Sequence, residues 1–360
     1  MTGTKCASCH INPTGGQMLT EYGLSFSNDK IPLESSLDSD FTFVHKISES
    51  ISIGGDYRTQ FIAASSPSST VTTFHSMNLS LYGSVALSKK SLLYYSNDIV
   101  NNSYEVFSLL KVLPNSGYIK AGAFLPNYGW RLDDHSSYIR GGDLGFLPGL
   151  PNTFGNTGLP FIPNYKDIGI EVGHYWNNIF ITLGMYNGTG NYYKINFDND
   201  KAFNGKIEYM SSIADLNYRV GASGYRFKKY QLGGFNAGIS SGNIVFLSEV
   251  DWTQGQFNSY GSTIVDEKIK TMAFYSELDI QLIQGLWAIG KFDKFDPVQG
   301  IKDIDTIDTS INQFNSKTRI SFGLEVFINN FIELHPQFRI NLEKPDIENN
   351  QFLLLTHIWF

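Results

Sequence analysis

Residues 318–326 have the sequence TRISFGLEV, in which apolar and polar side chains alternate from the second position onward. Successive side chains of a β-strand point to opposite faces, so this pattern predicts a strand with one apolar and one polar face. The same alternation recurs at 332–341, 51–60 and 168–173. In a membrane barrel, such strands turn the apolar face to lipid and the polar face to the lumen. The pattern therefore favours a barrel.

About sixteen such segments follow one another, an even number, as single-chain bacterial barrels require. They lie near residues 50–63, 71–88, 91–99, 103–113, 117–125, 166–176, 178–187, 204–213, 215–227, 230–240, 243–252, 270–281, 283–294, 316–328, 330–342 and 351–360. Short turns alternate with longer loops, although the connection at 228–229 is short where a long loop is expected, which leaves the count open by two. The length and the lack of a fixed repeat disfavour a soluble sandwich or a solenoid. We predict an all-β fold, a transmembrane antiparallel β-barrel of about 16 strands, over residues 41–360.

The composition is consistent with a membrane barrel. Of 360 residues, 17% are charged and 14% aromatic, whereas soluble domains average about 25% charged residues. No apolar run approaches the roughly 20 residues of a membrane helix, so a membrane protein with this sequence would have to cross as a closed barrel. The net charge of −7 argues against nucleic acid as a partner.

Residues 6–10 are Cys-Ala-Ser-Cys-His, the attachment signature of a c-type haem, and they contain both cysteines of the chain. In such a site the thiols of Cys6 and Cys9 add to the two haem vinyl groups, and His10 becomes the proximal iron ligand. A redox disulfide would need an α/β setting, and a zinc site would need a second ligand pair. The sequence thus predicts one covalent haem c on a segment and linker of residues 1–40.

A haem motif joined to a porin-like barrel resembles the fused monohaem cytochrome–porin family, best known for outer-membrane cytochromes that oxidise iron. The resemblance implies that Cys6, Cys9 and His10 hold the haem. It also implies an extracellular electron donor or acceptor such as Fe(II), and a periplasmic c-type cytochrome as partner. Residues 12–16 and the pair Tyr22-Gly23 instead look like a variant found in uncharacterised porin-like proteins. The identity of the electron donor therefore stays open.

A haem that only transfers electrons usually has a second axial ligand, His or Met. Met18 and His135 are the leading candidates, and His135 also counts as a candidate metal ligand beside His10. His135 lies in the longest loop, 126–165, which we expect to fold into the lumen as the third outer loop of general porins does. In that loop, Arg131 and Arg140 could pair with the haem propionates. The remaining histidines considered are His45, His75, His174, His335 and His357.

Three classes of function are compatible with these features. The first is electron transfer in the bacterial outer membrane, with the haem segment in or under the barrel and the N-terminus in the periplasm. The second is a solute-selective porin in which the haem is a plug or redox sensor, and the third is a haem enzyme with an open distal site. The charges expected to line the lumen are Arg58, Glu171, Arg319, Glu325, Glu333 and Arg339. Because haem is attached outside the cytoplasm and residues 1–5 are too short and polar for a secretion signal, we expect a leader to have been removed.

Overall fold

Sixteen antiparallel strands close into a barrel in the computed structural model. The structure describes residues 5–33, 45–65, 69–132, 136–142, 159, 161–190, 197, 199–255, 268–305, 314–346 and 348–360. The strands are β1 Ile51–Ser65, β2 Thr70–Ser88, β3 Ser91–Asp98, β4 Ser103–Leu110, β5 Tyr118–Phe124, β6 Asp167–Trp176, β7 Ile179–Tyr186, β8 Ala202–Ile213, β9 Leu216–Phe227, β10 Tyr230–Ser241, β11 Ile244–Gln254, β12 Lys270–Ile283, β13 Leu286–Asp296, β14 Lys317–Asn329, β15 Ile332–Asn341 and β16 Gln351–Trp359. The fold class and the strand count predicted from the alternation are confirmed.

Each strand pairs with its neighbour in sequence, and β1 pairs with β16 to close the barrel. The closing register runs from Asp56 opposite Trp359 to Ala64 opposite Gln351. Phe360 extends this pairing by two backbone hydrogen bonds of 3.0 Å with Gly55. A closed sheet has no edge strand, so every strand finds hydrogen-bonding partners on both sides.

The short connection at 228–229 is a tight hairpin between β9 and β10. Phe227 pairs directly with Tyr230 across it, and Lys228 has a positive φ of 54°. Turns that join antiparallel strands through two residues require positive φ values, because their twist then matches that of the strands. The connection is therefore a genuine hairpin, and the count of sixteen needs no correction.

The two faces of the barrel differ in polarity as the alternation predicted. On the outer face, Phe235, Leu183 and Phe322 are 62%, 65% and 51% exposed. On the inner face, Glu171 and Arg319 are almost completely buried. An apolar outer face around a polar interior is the inverse of a soluble protein and is the arrangement of a barrel in lipid.

Two short helices precede the barrel, α1 at Cys6–Cys9 and α2 at Glu21–Lys30, and a 3₁₀ turn lies at Tyr138–Arg140. In the part of the chain that the structure describes, no helix combines the length and the apolar character needed to cross a membrane. The predicted boundary at residue 40 falls within 34–44, outside the described residues.

The described residues 126–132 and 136–142 of the long loop between β5 and β6 fold into the barrel, as expected. The hydroxyl of Tyr128 donates to Asp251 at 2.8 Å, and the backbone N–H of Trp130 donates to Glu249 at 2.5 Å; both acceptors lie on β11. The hydroxyl of Ser137 donates to Asp293 on β13 at 3.0 Å. Since β5 and β11 lie far apart around the wall, these bonds carry the loop across the lumen.

Candidate functional site

The two cysteines lie on one turn of helix α1, at positions i and i+3, which share one side of a helix. Their thiols are not joined in a disulfide, and both side chains are half-buried. His10 ends the helix, with its backbone N–H donating to the Cys6 carbonyl at 2.9 Å. The structure therefore brings two thiols and an imidazole together within a single turn.

Thr20 holds α1 against α2. Its hydroxyl donates to the carbonyl oxygen of Ser8 at 2.6 Å and also accepts from the backbone N–H of Gly23 at 3.1 Å. Its own N–H donates to the Cys9 carbonyl at 2.9 Å. A threonine at the helix N-cap satisfies an N–H that would otherwise lack a partner. Thr20 thus starts α2 and fixes the cysteine helix beside it.

Gly23 is the point of closest approach between the two helices. A Cβ added there would lie 2.2 Å from the Cys9 carbonyl oxygen and 3.0 Å from its Cα, both of them backbone atoms. Backbone cannot move aside as the end of a flexible side chain can, so α2 would have to shift. Gly23 therefore fixes the spacing between α2 and the cysteine helix.

For a haem attached at this turn, as the sequence predicts, we expect Gly23→Ala to lower the yield of haem-bearing protein severalfold, because the larger residue pushes α2 away from Cys9. The haem content per chain, measured by the pyridine haemochrome assay, checks this. Leu24→Ala, one position later in α2, changes a side chain that is not at this contact and serves as the control. Unchanged haem content in Gly23→Ala would show that the contact has no part in attachment.

Side chains of the barrel wall and of the inward loop hold the N-terminal segment. Arg131 donates to the Gly15 carbonyl at 2.6 Å, and the Ser96 hydroxyl donates to the Gln17 side chain at 2.7 Å. Gly15 has a φ of +87°, a backbone conformation that favours glycine. The turn at residues 12–16 is therefore shaped to present its carbonyl to Arg131.

Lys120 on β5 makes a buried ion pair with Glu171 on β6 at 2.8 Å. The same ammonium lies 3.3 Å from the Thr14 hydroxyl and 3.5 Å from the Asn12 side-chain oxygen. Both charged side chains are 0% exposed, so each depends on the other for compensation of its charge. This pair joins the wall to the N-terminal segment.

We expect Lys120→Met to lower the free energy of unfolding by about 3–5 kcal/mol, because it leaves Glu171 buried without its partner. Urea unfolding in detergent micelles, followed by tryptophan fluorescence, measures the change. The matched control is Lys46→Met, which breaks the pair of Lys46 with Glu21 at 3.2 Å, where the side chains are 51% and 87% exposed. That exposed pair contributes less than about 1 kcal/mol. Equal losses in the two variants would contradict the argument.

The segment leaves the lumen at the end of the barrel that carries the two-residue turns 284–285 and 330–331, which we call the short-turn end. The Leu33 N–H donates to the Phe327 carbonyl at 2.8 Å. The Gln284 side chain donates to the Pro32 carbonyl at 2.9 Å. On the opposite wall, the Lys5 ammonium lies 4.6 Å from the centre of the Tyr175 ring. Residues 5–33 therefore extend across the lumen.

A continuous cavity of about 1350 Å³ remains beside this segment. Cys6, His10, Met18 and Arg131 line it, whereas Cys9 is not among its lining residues. Ordinary small-molecule sites measure roughly 300–1,000 Å³, so the space exceeds what a small ligand needs. The cavity therefore gives the cysteine helix an open side within the barrel.

Four of the remaining candidate histidines line the same cavity. They are His45, His75, His335 and His357. Burial lowers the pKa of His45 below its ordinary value, which favours the neutral imidazole that binds metals. His174 is not among the lining residues. The structure thus offers several imidazoles on the cavity that holds His10.

Met18 is buried, and it lies near His10 where two stretches of the N-terminal segment pair in antiparallel fashion. An isolated β-bridge pairs His10 with Leu19, and the Ile11 N–H donates to the Met18 carbonyl at 3.0 Å. Neighbouring residues of such a bridge point to opposite sides. Ile11 and Met18 indeed pack in one cluster with Phe107 and other aromatic side chains. Met18 and His10 both line the cavity, and the role of Met18 as a distal ligand stays a prediction.

Of the three loop residues predicted to serve the haem, His135 falls in 133–135, outside the described residues. Arg131 lines the cavity and donates to the N-terminal segment. Arg140 is buried, does not line this cavity, and pairs with Glu249 at 2.7 Å. Its other nitrogens donate to backbone carbonyls, including that of Trp130. Propionate binding by either arginine stays a prediction, and Arg140 mainly anchors the loop.

Two residues that contact the cysteine helix were not predicted from the sequence. Arg219 on β9 donates to the Cys6 sulfur at 3.7 Å and lies 3.8 Å from Glu208. Thr20 caps α2 as described above. A capping residue three positions before a helical glycine could have been found in the sequence, but no local signal connects Arg219 to a residue more than 200 positions away.

No protein-family model and no curated protein matches this sequence. Solved structures do match its fold. OprB from Pseudomonas putida is similar with a TM-score of 0.62 and 9% identity, over 93% of this chain and 100% of that one. OmpF from Salmonella typhi, in complex with daunomycin, gives a TM-score of 0.56 and 11% identity over 86% and 97%. An anion-selective porin from Comamonas acidovorans gives 0.55 and 10% over 86% and 99%. The chain thus has a porin-like outer-membrane β-barrel fold.

Proposed function

From this porin-like fold, we propose that the protein lies in the bacterial outer membrane and transfers electrons through one c-type haem held in its lumen by the N-terminal segment. The observation that carries the proposal is the position of the Cys-x-x-Cys-His turn. Cys6 and His10 line the lumen cavity, and residues 5–33 are bonded to the wall on both sides.

The residues present fit a covalent haem. Cys6 and Cys9 lie one helical turn apart without a disulfide, and His10 follows directly. When bound, a haem would supply one-electron chemistry by cycling between Fe²⁺ and Fe³⁺. Around it, Arg219 would place a positive charge near the Cys6 sulfur. The aromatic cluster that includes Met18 and Phe107 would exclude water from one side of the turn.

The proposal assigns a direction to the barrel. The short-turn end would face the periplasm, because short turns lie on that side in outer-membrane barrels. The N-terminal segment leaves the lumen at this end, close to the place where a periplasmic c-type cytochrome would dock. The donor or acceptor would approach through the lumen from the end with the long loops, since one haem does not by itself cross an apolar band about 25 Å tall.

The test uses purified, oxidised protein from a host that attaches haem c. It is mixed anaerobically with Fe²⁺, and the absorption spectrum of the haem is followed. We expect a reduced c-type band to appear with Fe²⁺ as it does with dithionite. A band that only dithionite produces would remove Fe²⁺ as the donor while keeping the haem, and the absence of any haem band would overturn the proposal.

Passage of small solutes is the second candidate function. The likeness in fold to an anion-selective porin supports it more directly than it supports electron transfer. The cavity of about 1350 Å³ and its charged lining, which includes Arg58 and Arg339, favour it as well. In that case the N-terminal segment would be a plug or a redox sensor. Ion conductance in planar lipid bilayers separates the two functions.

A further inference from the structure

A cluster of three metal-binding side chains lies on the lumen side of the barrel near the 330–331 turn. Glu325 on β14 and Glu333 and His335 on β15 each offer one ligand atom, and these atoms all lie within 4.8 Å of one another. Residues 333 and 335 alternate with outward-facing positions, so both point to the same side of the sheet. All three residues line the central cavity, which makes the cluster accessible from the lumen.

The two carboxylates of this cluster are close neighbours, and Glu333 also has a basic neighbour in His357, 3.1 Å away. The carboxyl group of Glu325 forms a hydrogen bond with that of Glu333. The lysine on the adjacent strand β13, Lys291, pairs with Glu277 at 3.0 Å. Two carboxylates that share one site need a cation or a shared proton between them, because like charges at this distance destabilise each other. A bound cation would therefore stabilise this pair of carboxylates, and a shared proton is the alternative that metal titration distinguishes.

A fourth residue positions one of the carboxylates. The Nδ1 atom of His357 on β16 lies 3.1 Å from Glu333, and the two side chains are 13% and 11% exposed. Register brings them together, because β15 pairs Glu333 directly with His357. Hydrogen bonds between histidine and carboxylate orient ligands in metal sites. His357 therefore acts as a positioning residue for Glu333.

We propose that Glu325, Glu333 and His335 form a binding site for a divalent transition-metal ion at the short-turn end of the lumen. Imidazole and carboxylate together suit ions of the zinc and iron type better than calcium, which prefers oxygen ligands alone. Bonds of about 2.0–2.2 Å to a shared ion require ligand atoms about 3–4 Å apart, close to the spacing observed. The open cavity leaves further coordination positions to water or solute.

This site does not depend on the haem. Its three ligands come from β14 and β15 and its positioning residue from β16, whereas the cysteine helix and the segment that follows it are held by Thr20 and by residues of β3, β5 and the inward loop. The thiols of Cys6 and Cys9 would nevertheless compete for a soft metal ion when no haem is attached. The test therefore uses the full-length chain with Cys6→Ser and Cys9→Ser, in detergent micelles and without an affinity tag.

Zn²⁺ alone is the probe, and isothermal titration calorimetry measures its binding. We expect one Zn²⁺ per chain, with affinity reduced more than tenfold in Glu333→Gln and in His335→Gln. His357→Gln should weaken binding by about 10–100-fold, as loss of an orienting partner does. His75→Gln is the matched control, because His75 lines the same cavity outside the cluster, and it should leave the affinity unchanged.

Two results would overturn the proposal. One is the absence of Zn²⁺ binding to the reference chain, which would mean that the carboxylates share a proton instead. The other is equal affinity in the reference chain and His335→Gln, which would place the ion elsewhere. Each variant must show the heat-dependent gel mobility of a folded barrel, so that loss of folding is not mistaken for loss of the site.

Discussion

Replacing Cys6 and Cys9 together by serine should abolish covalent haem attachment, taking haem content from one per chain to none. Both thioether bonds depend on these sulfurs, and the chain has no other cysteine to replace them. Haem-stained denaturing gels and the pyridine haemochrome assay measure the loss. Each single replacement should leave one thioether bond at most and sharply reduce the yield.

The matched control for the cysteine variants is Ser8→Ala. Ser8 lies between the two cysteines on α1, its side chain is exposed, and its hydrogen bonds are made by its backbone: the carbonyl accepts from Thr20 and the N–H donates to Lys5. This variant should keep a full haem content. If the double cysteine variant stained for haem as strongly as the original chain, the assignment of the motif would be wrong. If both it and the original chain lacked haem in a competent host, the electron-transfer proposal would fail.

Sequence periodicity was sufficient to predict the strands of the barrel wall, because each strand shows its alternation within its own residues. A shift of β14 by one residue would move Arg319 and Glu325 to lipid and Phe322 to the lumen. The alternation at 318–326 therefore determines which side of β14 faces the lumen, whatever strands lie next to it. The hairpin at 228–229 was harder to interpret from the sequence. Its length departs from the usual pattern of long outer loops, although the flanking strands were assigned correctly.

The interior of the barrel could not be predicted in the same way. The contact of Arg131 with Gly15 joins residues 116 positions apart, and that of Lys120 with Thr14 spans 106. Such contacts depend on how the loop and the N-terminal segment share the lumen, and no local pattern reports this. Similarly, Glu325, Glu333 and His335 are ordinary lumen positions in the sequence and become a cluster only through the register of two strands.

Removing residues 5–33 should open the barrel and raise its single-channel conductance severalfold in planar lipid bilayers. In the intact chain this segment extends across the lumen and is bonded to opposite walls, so it obstructs the path of ions. The deletion leaves β1 and its pairing with β16 intact, because the strand begins only at Ile51. We expect the intact chain to conduct weakly and the shortened chain to form stable open channels.

A second variant guards against misfolding of the shortened chain. Arg131→Ala removes the hydrogen bond to the Gly15 carbonyl without removing the segment, and it should produce brief openings rather than stable ones. Lys46→Met breaks only the exposed pair of Lys46 with Glu21 of the segment and should conduct like the original chain, because such a pair contributes less than about 1 kcal/mol. Stable open channels from the intact chain would contradict the prediction of a blocked lumen. They would favour the passage of small solutes as the function. In that case ions would pass through the existing cavity beside residues 5–33, and the N-terminal segment would line a pore.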